Sequence, residues 1–246
     1  MKKSSLFVIF VTIFIVIIIG TIIFYRLLFI PSGIEIDKQR FPITGVDISG
    51  HTGKVDFVEL SKQEIDFVFI KATEGDFFVD PKFEKNYYNS TLNRINVGFY
   101  HFFKFNKSGK TQAANYLKQI KGKKTNLPLV IDVEEWGNSI QNSTQEVIDE
   151  IRVFITLIED ETGKNVMIYS NESSYNKYIN GHFDKNEIWI CSFKSRIKIN
   201  NKWTFWQHSH KGKFNGTEGY VDINTFNGNR ESWKKYLENQ TYAKNR

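Results

Sequence analysis

Short apolar runs alternate with helix-like segments along most of this chain, and this alternation restricts the fold more than any other feature of the sequence. The runs are rich in Val, Ile, Phe and Tyr and are apolar on both faces, which is typical of parallel strands covered by helices. They occupy residues 43–49, 67–75, 97–103, 129–134, 166–170, 188–193, 203–208 and 221–226. The pattern predicts an α/β fold, an irregular TIM-like (β/α) barrel with eight strands and about five main helices.

The segments between the runs carry signals for helix ends. Asp80 and Pro81 predict an N-cap followed by a proline in the first turn. Ser143 and Glu146 form a capping-box pattern, and Gly163 is placed to end the helix that begins there. Between the last three strands only loops or short helices fit, so the predicted barrel is irregular in that region.

An uncharged segment, residues 6–25, precedes the barrel and predicts one transmembrane helix. Twenty residues in a helix span roughly 30 Å, the thickness of the hydrocarbon layer. The run is longer than a usual signal-peptide core and no small-residue cleavage site follows it, which favours a retained anchor over the alternative of a cleaved signal peptide. Lys2 and Lys3 precede it and only Arg26 follows closely, which favours a cytoplasmic N-terminus. We therefore expect a retained, single-pass signal-anchor with the folded domain on the extracytoplasmic side.

These signals divide the chain into five segments. They are a cytoplasmic N-terminus (1–5), the transmembrane signal-anchor (6–25), a linker (26–41), the barrel domain (42–237) and a polar tail (238–246).

Charge and cysteine content exclude some classes of function. The net charge is +6, but Lys2, Lys3 and Arg26 lie in the first thirty residues, so the remainder carries 30 basic and 27 acidic residues. No stripe of Lys and Arg interleaved with aromatic residues is present, and we expect no nucleic-acid partner. The single cysteine, Cys191, cannot form an internal disulfide and lies in an apolar run, which predicts a small buried side chain. We expect a monomer.

Residues 127–135 read LPLVIDVEE, an apolar strand that ends in carboxylates. Because side chains alternate along a strand, Asp132 and Glu134 point the same way and Val133 packs on the opposite face. Repulsion between nearby carboxylates separates their pKa values, so that one can donate a proton while the other is ionised. Paired carboxylates in those roles hydrolyse glycosidic bonds. The alternative is structural, since both could cap the next helix or bind an arginine.

Polar and aromatic residues also follow or end the other strands, where barrels of this type carry their reaction site. These residues are Asp47, Lys71, Glu74, Tyr100, His101, Tyr169, Trp206, Gln207 and Asp222. Acids from several strands together with flat rings predict a carbohydrate-binding cleft.

Several motifs, in order along residues 43–229, resemble those of glycoside hydrolase family 25, the muramidases that cleave the β-1,4 bond after N-acetylmuramic acid in peptidoglycan. The motifs are GVDIS at 45–49, IKATEG at 70–75, GFYHF at 98–102, LPLVIDVE at 127–134, WQ at 206–207 and GYVD at 219–222. Two departures occur, at 50–53, where the family often has Trp-Gln, and at 55–57, where it usually has Ile-Asp-Trp.

The resemblance implies that Glu134 is the general acid. It implies that Asp132 stabilises the developing positive charge or orients the acetamido group of the substrate. It also implies four further residues of the cleft, Asp47, Asp222, Tyr100 and Tyr169. To these we add Lys71, Glu74, Trp206 and Gln207 as substrate-binding residues, although Lys71 and Glu74 could equally form a structural ion pair. The implied partner is the glycan strand of peptidoglycan, and no metal or cofactor is implied.

Two other functions stay open. The departures near residues 50–57 motivate a non-catalytic module that tethers the membrane to peptidoglycan. A hydrolase of chitin-like polymers shares the acid pair but lacks the longer acidic signature of the main chitinase fold before Asp132. The histidines are interpreted as structural. His101 is predicted to pack away from the cleft, and His208 and His210, whose spacing could hold a metal, are predicted to be surface residues because no partner motif accompanies them.

Overall fold

The structure is a computed structural model that describes residue 8 and residues 11–21, 32–200 and 202–242. The chain divides into two compact units, Met1–Ser32 and Gly33–Arg246. In the first unit, residues 11–21 are helical. The predicted signal-anchor at 6–25 lies partly outside the described residues, and the predicted cytoplasmic segment 1–5 lies wholly outside them. Among the residues that are described, no helix is long and apolar enough to cross a membrane.

The second unit, over residues 33–200 and 202–242, alternates strands and helices. Its strands are β1 (Thr44–Ile48), β2 (Phe67–Glu74), β3 (Phe78–Val79), β4 (Asn96–Phe102), β5 (Leu129–Asp132), β6 (Val166–Asn171), β7 (Ile188–Cys191), β8 (Trp203–Gly212) and β9 (Val221–Phe226). Its helices are α1 (Phe57–Ser61), α2 (Phe83–Leu92), α3 (Gly109–Ile120), α4 (Thr144–Thr162), α5 (Glu172–Ser174, followed by a π-helical turn at Tyr175–Ile179) and α6 (Arg230–Tyr242).

Eight of these strands close into a barrel, which confirms the predicted α/β class. The order around the ring is β1, β2, β4, β5, β6, β7, β8 and β9, and β9 pairs back to β1. All pairs from β1 round to β8 are parallel, but β9 is antiparallel to both of its neighbours. The prediction of a fully parallel sheet is therefore wrong at β9. Residues 213–220 are too few for the crossover of about a dozen residues that a parallel connection requires, so β8 and β9 form a hairpin.

Aromatic side chains fill the inside of the barrel. The ring of Phe69 stacks on that of Trp189 with centroids 4.4 Å apart. A Cβ atom added at Gly98 would collide with the ring of Phe69, and one at Gly45 would collide with that of Phe67. Glycine at these two motif positions therefore leaves room for the rings. The inside of the barrel is therefore a packed core and not a pore.

Helices cover the outer face and close the other end of the barrel. The predicted capping box between Ser143 and Glu146 is present at the start of α4, and Gly163 ends that helix with a φ of 65°. In α6, the ring of Trp233 lies 5.5 Å from that of Phe67, at the end where β2 begins. Helix α6 continues to Tyr242, beyond the predicted boundary after residue 237.

Two predicted boundaries differ in detail. Asp80 does not cap α2, which begins at Phe83; its carboxylate instead accepts hydrogen bonds from the backbone N–H groups of Gly50 and Lys82. The predicted linker is also partly structured. The backbone N–H of Ile34 donates to the carbonyl of His208 at 2.9 Å, so the compact unit begins at Gly33, ahead of the boundary at residue 42.

Candidate active site

A cleft of about 800 Å³ opens at the mouth of the barrel, where the parallel strands end. Eight of the ten predicted site residues line it: Asp47, Lys71, Glu74, Tyr100, Asp132, Glu134, Tyr169 and Asp222. Asp222 belongs to the first residues of β9, and it reaches this end of the barrel only because β9 runs in the opposite direction to its neighbours.

Side-chain alternation explains which residues reach the cleft. Phe69 and Val130 belong to the aromatic and aliphatic core inside the barrel. Lys71 and Asp132 follow them by two positions and so share the inward face, one layer closer to the mouth. The cleft is therefore the uppermost layer of the barrel interior, with polar groups in place of apolar ones.

A buried hydrogen-bond network holds Asp47 at the floor of the cleft. Its Oδ2 atom accepts from the side-chain amides of Gln207 at 2.8 Å and Asn224 at 2.7 Å. Asn224 in turn accepts from the indole N–H of Trp189, and Gln207 accepts from the hydroxyl of Tyr169. All five side chains are at least nine-tenths buried. Donors fixed in this way leave the Asp47 carboxylate few alternative orientations.

Asp132 and Glu134 point into the cleft from the end of β5, while the side chain of Val133 between them is fully buried in the outer core. Asp132 is buried, and among the described residues nothing donates a hydrogen bond to its Oδ1 atom. The loop after Glu134 is held by Asn138, whose amide donates to the Glu134 carbonyl at 2.8 Å and to the carbonyl of Phe103 at 2.9 Å.

Burial raises the pKa values of three carboxyl groups in the cleft. It raises the pKa of Glu134 to about 7, against an opposing hydrogen bond from Asn171. Burial, aided by the charge of Glu134, holds the pKa of Asp132 well above its usual range. Burial, aided by the charge of Asp222, does the same for the pKa of Asp47. Burial thus disfavours a charge on Asp132 in the free protein, and its role as the ionised partner in the substrate complex stays a prediction.

Lys71 and Glu74 form an ion pair at one wall of the cleft, with Nζ and Oε2 2.7 Å apart. The ammonium group of Lys104 lies 3.3 Å from Glu74 and also donates to the carbonyl of Gly137. Lys104 therefore links the end of β2 to the loop that follows Glu134. Because both Lys71 and Glu74 also line the cleft, they can form the ion pair and contact a substrate at the same time.

Two predicted residues do not line the cleft. Trp206 points outward, where its indole N–H donates to the carbonyl of Ser192 and its ring packs against that of Phe41. The prediction that Trp206 binds substrate is therefore corrected. Alternation along β8 puts Trp206 on the face opposite Gln207. Gln207 points inward but is buried beneath the cleft, where it orients Asp47.

The histidines divide differently from the prediction. His101 is buried, stacks on Phe154 and contacts the hydroxyl of Thr73, in agreement with a packing role. His208 is also buried, beside the carbonyl of Ile34, and is not a surface residue. His210 lines the cleft, with its Nδ1 atom 2.7 Å from Oδ1 of Asp222.

Trp136 was also missed by the sequence analysis. It lies two residues after Glu134, lines the cleft and leaves 77% of its surface exposed. The signal available in the sequence was a tryptophan two residues after a strand end that carries two acids.

Within the described part of the chain, no three His, Cys, Asp or Glu side chains are grouped as a metal site would need. The buried Cys191 borders the floor of the cleft, and burial raises the pKa of its thiol.

Comparison with known proteins identifies the same type of domain. The family model for Glycosyl hydrolases family 25 matches residues 46–217. The structure of a family 25 glycosyl hydrolase from Bacillus anthracis is similar with a TM-score of 0.76 and 38% identity, over 83% of this chain and 97% of that one. The uncharacterized protein YegX of Escherichia coli K12 is 33% identical over 80% of this chain and 74% of its own length. Lysozyme M1 of Streptomyces globisporus is 30% identical over 76% of this chain and 68% of its own length.

Proposed function

The chain belongs to family 25 of the glycosyl hydrolases, and on that premise we propose that its cleft cleaves the β-1,4 bonds between N-acetylmuramic acid and N-acetylglucosamine in peptidoglycan. The protein is a glycoside hydrolase of the lysozyme type. The observation that carries the proposal is a cleft at the barrel mouth in which four carboxyl groups, those of Asp47, Asp132, Glu134 and Asp222, face one cavity.

Glu134 is the general acid in this mechanism. A general acid must hold a proton at the working pH and yet be able to release it, and a pKa of about 7 satisfies both conditions. Glu134 protonates the oxygen of the scissile bond as that bond breaks. The resulting carboxylate then accepts a proton from the attacking water, which returns Glu134 to its starting state.

Asp132 is the partner carboxylate. Its Oδ1 atom is buried and accepts no hydrogen bond from the described residues, so it is suited to accept one from the acetamido N–H of the sugar. A hydrogen bond to the ionised form favours that form, so substrate binding would lower the pKa of Asp132. Asp132 would then be ionised in the complex, where it stabilises the positive charge that develops on the sugar ring.

The other cleft residues bind the glycan strand. Asp47 and Asp222 lie opposite each other as register partners on β1 and β9. Tyr100 and Tyr169 line the floor, and burial holds the pKa values of both phenols above their usual range, so both hydroxyls stay protonated. The hydroxyl of Tyr169 donates to Gln207. Lys71 and Glu74 form one wall, and the exposed ring of Trp136 is placed to stack on a sugar face at the rim.

The test is the replacement Glu134→Gln, which removes the proton donor and keeps the shape of the side chain. Purified parent and variant are incubated with peptidoglycan, and the soluble products are reduced and identified by mass spectrometry. We expect the parent to release muropeptides that end in reduced N-acetylmuramic acid, and the variant to lose at least about 100-fold in rate. Unchanged release by a correctly folded variant would remove Glu134 from the mechanism.

A wall-binding module without activity is the second candidate, favoured by the departures at residues 50–57. Parent protein that sediments with insoluble wall but releases no reducing ends would support it. A chitin-like substrate is the third, and N-acetylglucosamine oligomers in place of muropeptides would identify it.

We further propose that residues 6–25 anchor the enzyme in a membrane with the barrel outside, because the run is uncharged and Lys2 and Lys3 precede it. Fractionation of cells with protease accessibility tests this placement.

A further inference from the structure

His210 and Asp222 form a side-chain pair at the wall of the cleft that lies across the barrel from Glu134. The Nδ1 atom of His210 lies 2.7 Å from Oδ1 of Asp222. Because an ionised carboxylate can only accept, Nδ1 carries the hydrogen and donates it. His210 lines the cleft, and 45% of its side chain is exposed.

The backbone is built to bring these two side chains together. Gln207 pairs with Asn224 and Ser209 with Ile223, so β8 contains one extra residue at this point. A second irregularity follows between Ser209 and Gly212. An extra residue reverses the alternation of the side chains that follow, so His210 points to the same side as Gln207, three positions earlier. The bulge, rather than regular pairing, places an imidazole beside Asp222.

The ring of His210 is also held from the other side. The ring of Phe193, in the segment after β7, meets it edge-on with centroids 4.5 Å apart. The charged groups that face His210 come from three other elements: Asp222 on β9, Asp47 on β1 and Glu134 after β5. All three are acids. A protonated His210 would therefore be a cation among acidic side chains, while Lys71 on the far wall already pairs with Glu74.

We propose that His210 is a positioning residue for the hydrolysis reaction, in which its Nδ1–H group fixes the Asp222 carboxylate in the cleft and its imidazolium charge favours the ionised forms of the acidic side chains around it. The inference rests on the proposed function of this cleft and adds a residue to it. Burial lowers the pKa of His210, but the hydrogen bond and charge of Asp222 outweigh that effect and raise it above the ordinary value. The charged form therefore persists to a higher pH than in an ordinary histidine.

The charge of His210 has a consequence for Glu134. A nearby positive charge favours the ionised form of a carboxyl group, and His210 accordingly lowers the pKa of Glu134 while Asp222 raises it. A general acid is active only while protonated, so activity is lost as the pH rises through its pKa. If the charge of His210 is removed, the pKa of Glu134 rises and the alkaline limb of the pH–rate profile moves to higher pH.

Two variants separate the charge from the hydrogen bond. In His210→Asn the side-chain amide can still donate from nearly the position of Nδ1 but never carries a charge. In His210→Ala both the donor and the charge are lost. His182→Asn is the matched control, since His182 is an exposed residue before β7 and does not line the cleft. Each is made in the full chain, and kcat and KM for soluble peptidoglycan fragments are measured from pH 4 to 9, a window that spans roughly two units on either side of the usual histidine pKa.

The expected result is a graded one. His210→Asn keeps most of the activity at its own optimum, and its alkaline limb moves to higher pH. His210→Ala shows the same movement and also loses roughly tenfold or more in kcat/KM, as expected when a hydrogen bond to a charged group is removed. His182→Asn matches the parent. If both His210 variants keep the parent's alkaline limb, or if Asn and Ala lose activity equally, His210 only packs against Phe193 and the proposal is wrong.

A second measurement does not depend on activity. The five imidazoles of the protein are titrated by NMR in the parent and in Asp222→Asn, and the His210 signal is assigned by its absence in His210→Asn. We expect His210 to titrate above the ordinary histidine pKa in the parent and to fall in Asp222→Asn. If the pKa of His210 is the same in Asp222→Asn as in the parent, the proposal is wrong even if the parent enzyme is active. A parent that releases no products while His210 shifts as expected would instead contradict the proposed function and leave the pairing established.

Discussion

At the scale of single residues, Glu134 and Glu135 show how adjacent carboxyl groups acquire opposite properties. Glu134 faces the cleft, where burial raises its pKa to about 7. Glu135 faces the π-helical turn after α5, where hydrogen bonds from Lys177 and Tyr178 lower its pKa. The sequence distinguishes the two only through alternation from Asp132, which places Glu134 on the inward face and Glu135 on the outward one. The direction of each side chain thus decides which of them can act as an acid.

The exposed ring of Trp136 leads to a prediction about substrate length. Because it lies at the rim and not at the floor of the cleft, we expect Trp136→Ala to weaken binding of glycan strands with little change in the chemical step. The expected rise in KM for long strands is roughly tenfold, which corresponds to about 1.4 kcal/mol of lost stacking, and kcat should change little. The measurement is a comparison of kcat and KM for long strands and for short muropeptides.

Two further variants control that experiment. Tyr88 is 66% exposed and does not line the cleft, so Tyr88→Ala should match the parent. Trp136→Phe should recover part of the affinity, because a smaller ring can still stack. Equal KM values for Trp136→Ala and the parent on long strands would mean that no sugar contacts this ring.

At the scale of elements, the sequence predicted the strands well but not their directions. Hydrophobic runs located all eight barrel strands, since burial on both faces produces them directly. The direction of β9 and the bulge in β8 depend on pairing between segments, which no single run encodes. His210 was missed for that reason, and Asp222 was assigned to the right end of the barrel although β9 runs the other way. Trp206 was misplaced because strand-end position was considered without alternation.

The packing of the barrel interior gives a prediction for Gly98 on β4. A Cβ atom there would collide with the ring of Phe69, which is fully buried and stacked on Trp189. We expect Gly98→Ala to lower the free energy of unfolding by about 1–3 kcal/mol, as overpacking of a core typically does. Chemical denaturation measures this. Gly219→Ala is the control, because the nearest atom to its added Cβ is Thr52 O at an ordinary 3.5 Å, and its unfolding should be nearly unchanged. A Gly98→Ala protein as stable as the parent would show that the rings can move.

At the scale of the whole barrel, one end is packed for stability and the other is arranged for chemistry. Apolar rings, closed over by α6, fill the end where the parallel strands begin. At the mouth, the same inward-facing positions carry Asp47, Asp132 and Glu134, whose pKa values burial raises. Keeping ionisable groups in such surroundings destabilises the fold when the pH favours their charged forms. The cleft should therefore make the barrel less stable at neutral pH than an uncharged cleft would.

Glu134→Gln tests this cost directly. In the unfolded chain Glu134 loses its proton near pH 4.5, but in the folded protein it does so near pH 7. Its contribution to stability is thus fully present below pH 4.5 and is lost as the pH rises through 7. Since Gln does not ionise, Glu134→Gln should melt like the parent at pH 4 and become more stable than the parent by pH 8, by on the order of 3 kcal/mol. Glu135→Gln is the matched control. The pKa of Glu135 is lower in the folded protein than in the unfolded chain, so its ionised form stabilises the fold at any pH above its pKa in the unfolded chain. Glu135→Gln should therefore give no gain in stability at pH 8. Parallel melting curves for the parent and Glu134→Gln from pH 4 to 8 would mean that Glu134 is hydrated in the folded protein and titrates as an ordinary glutamate.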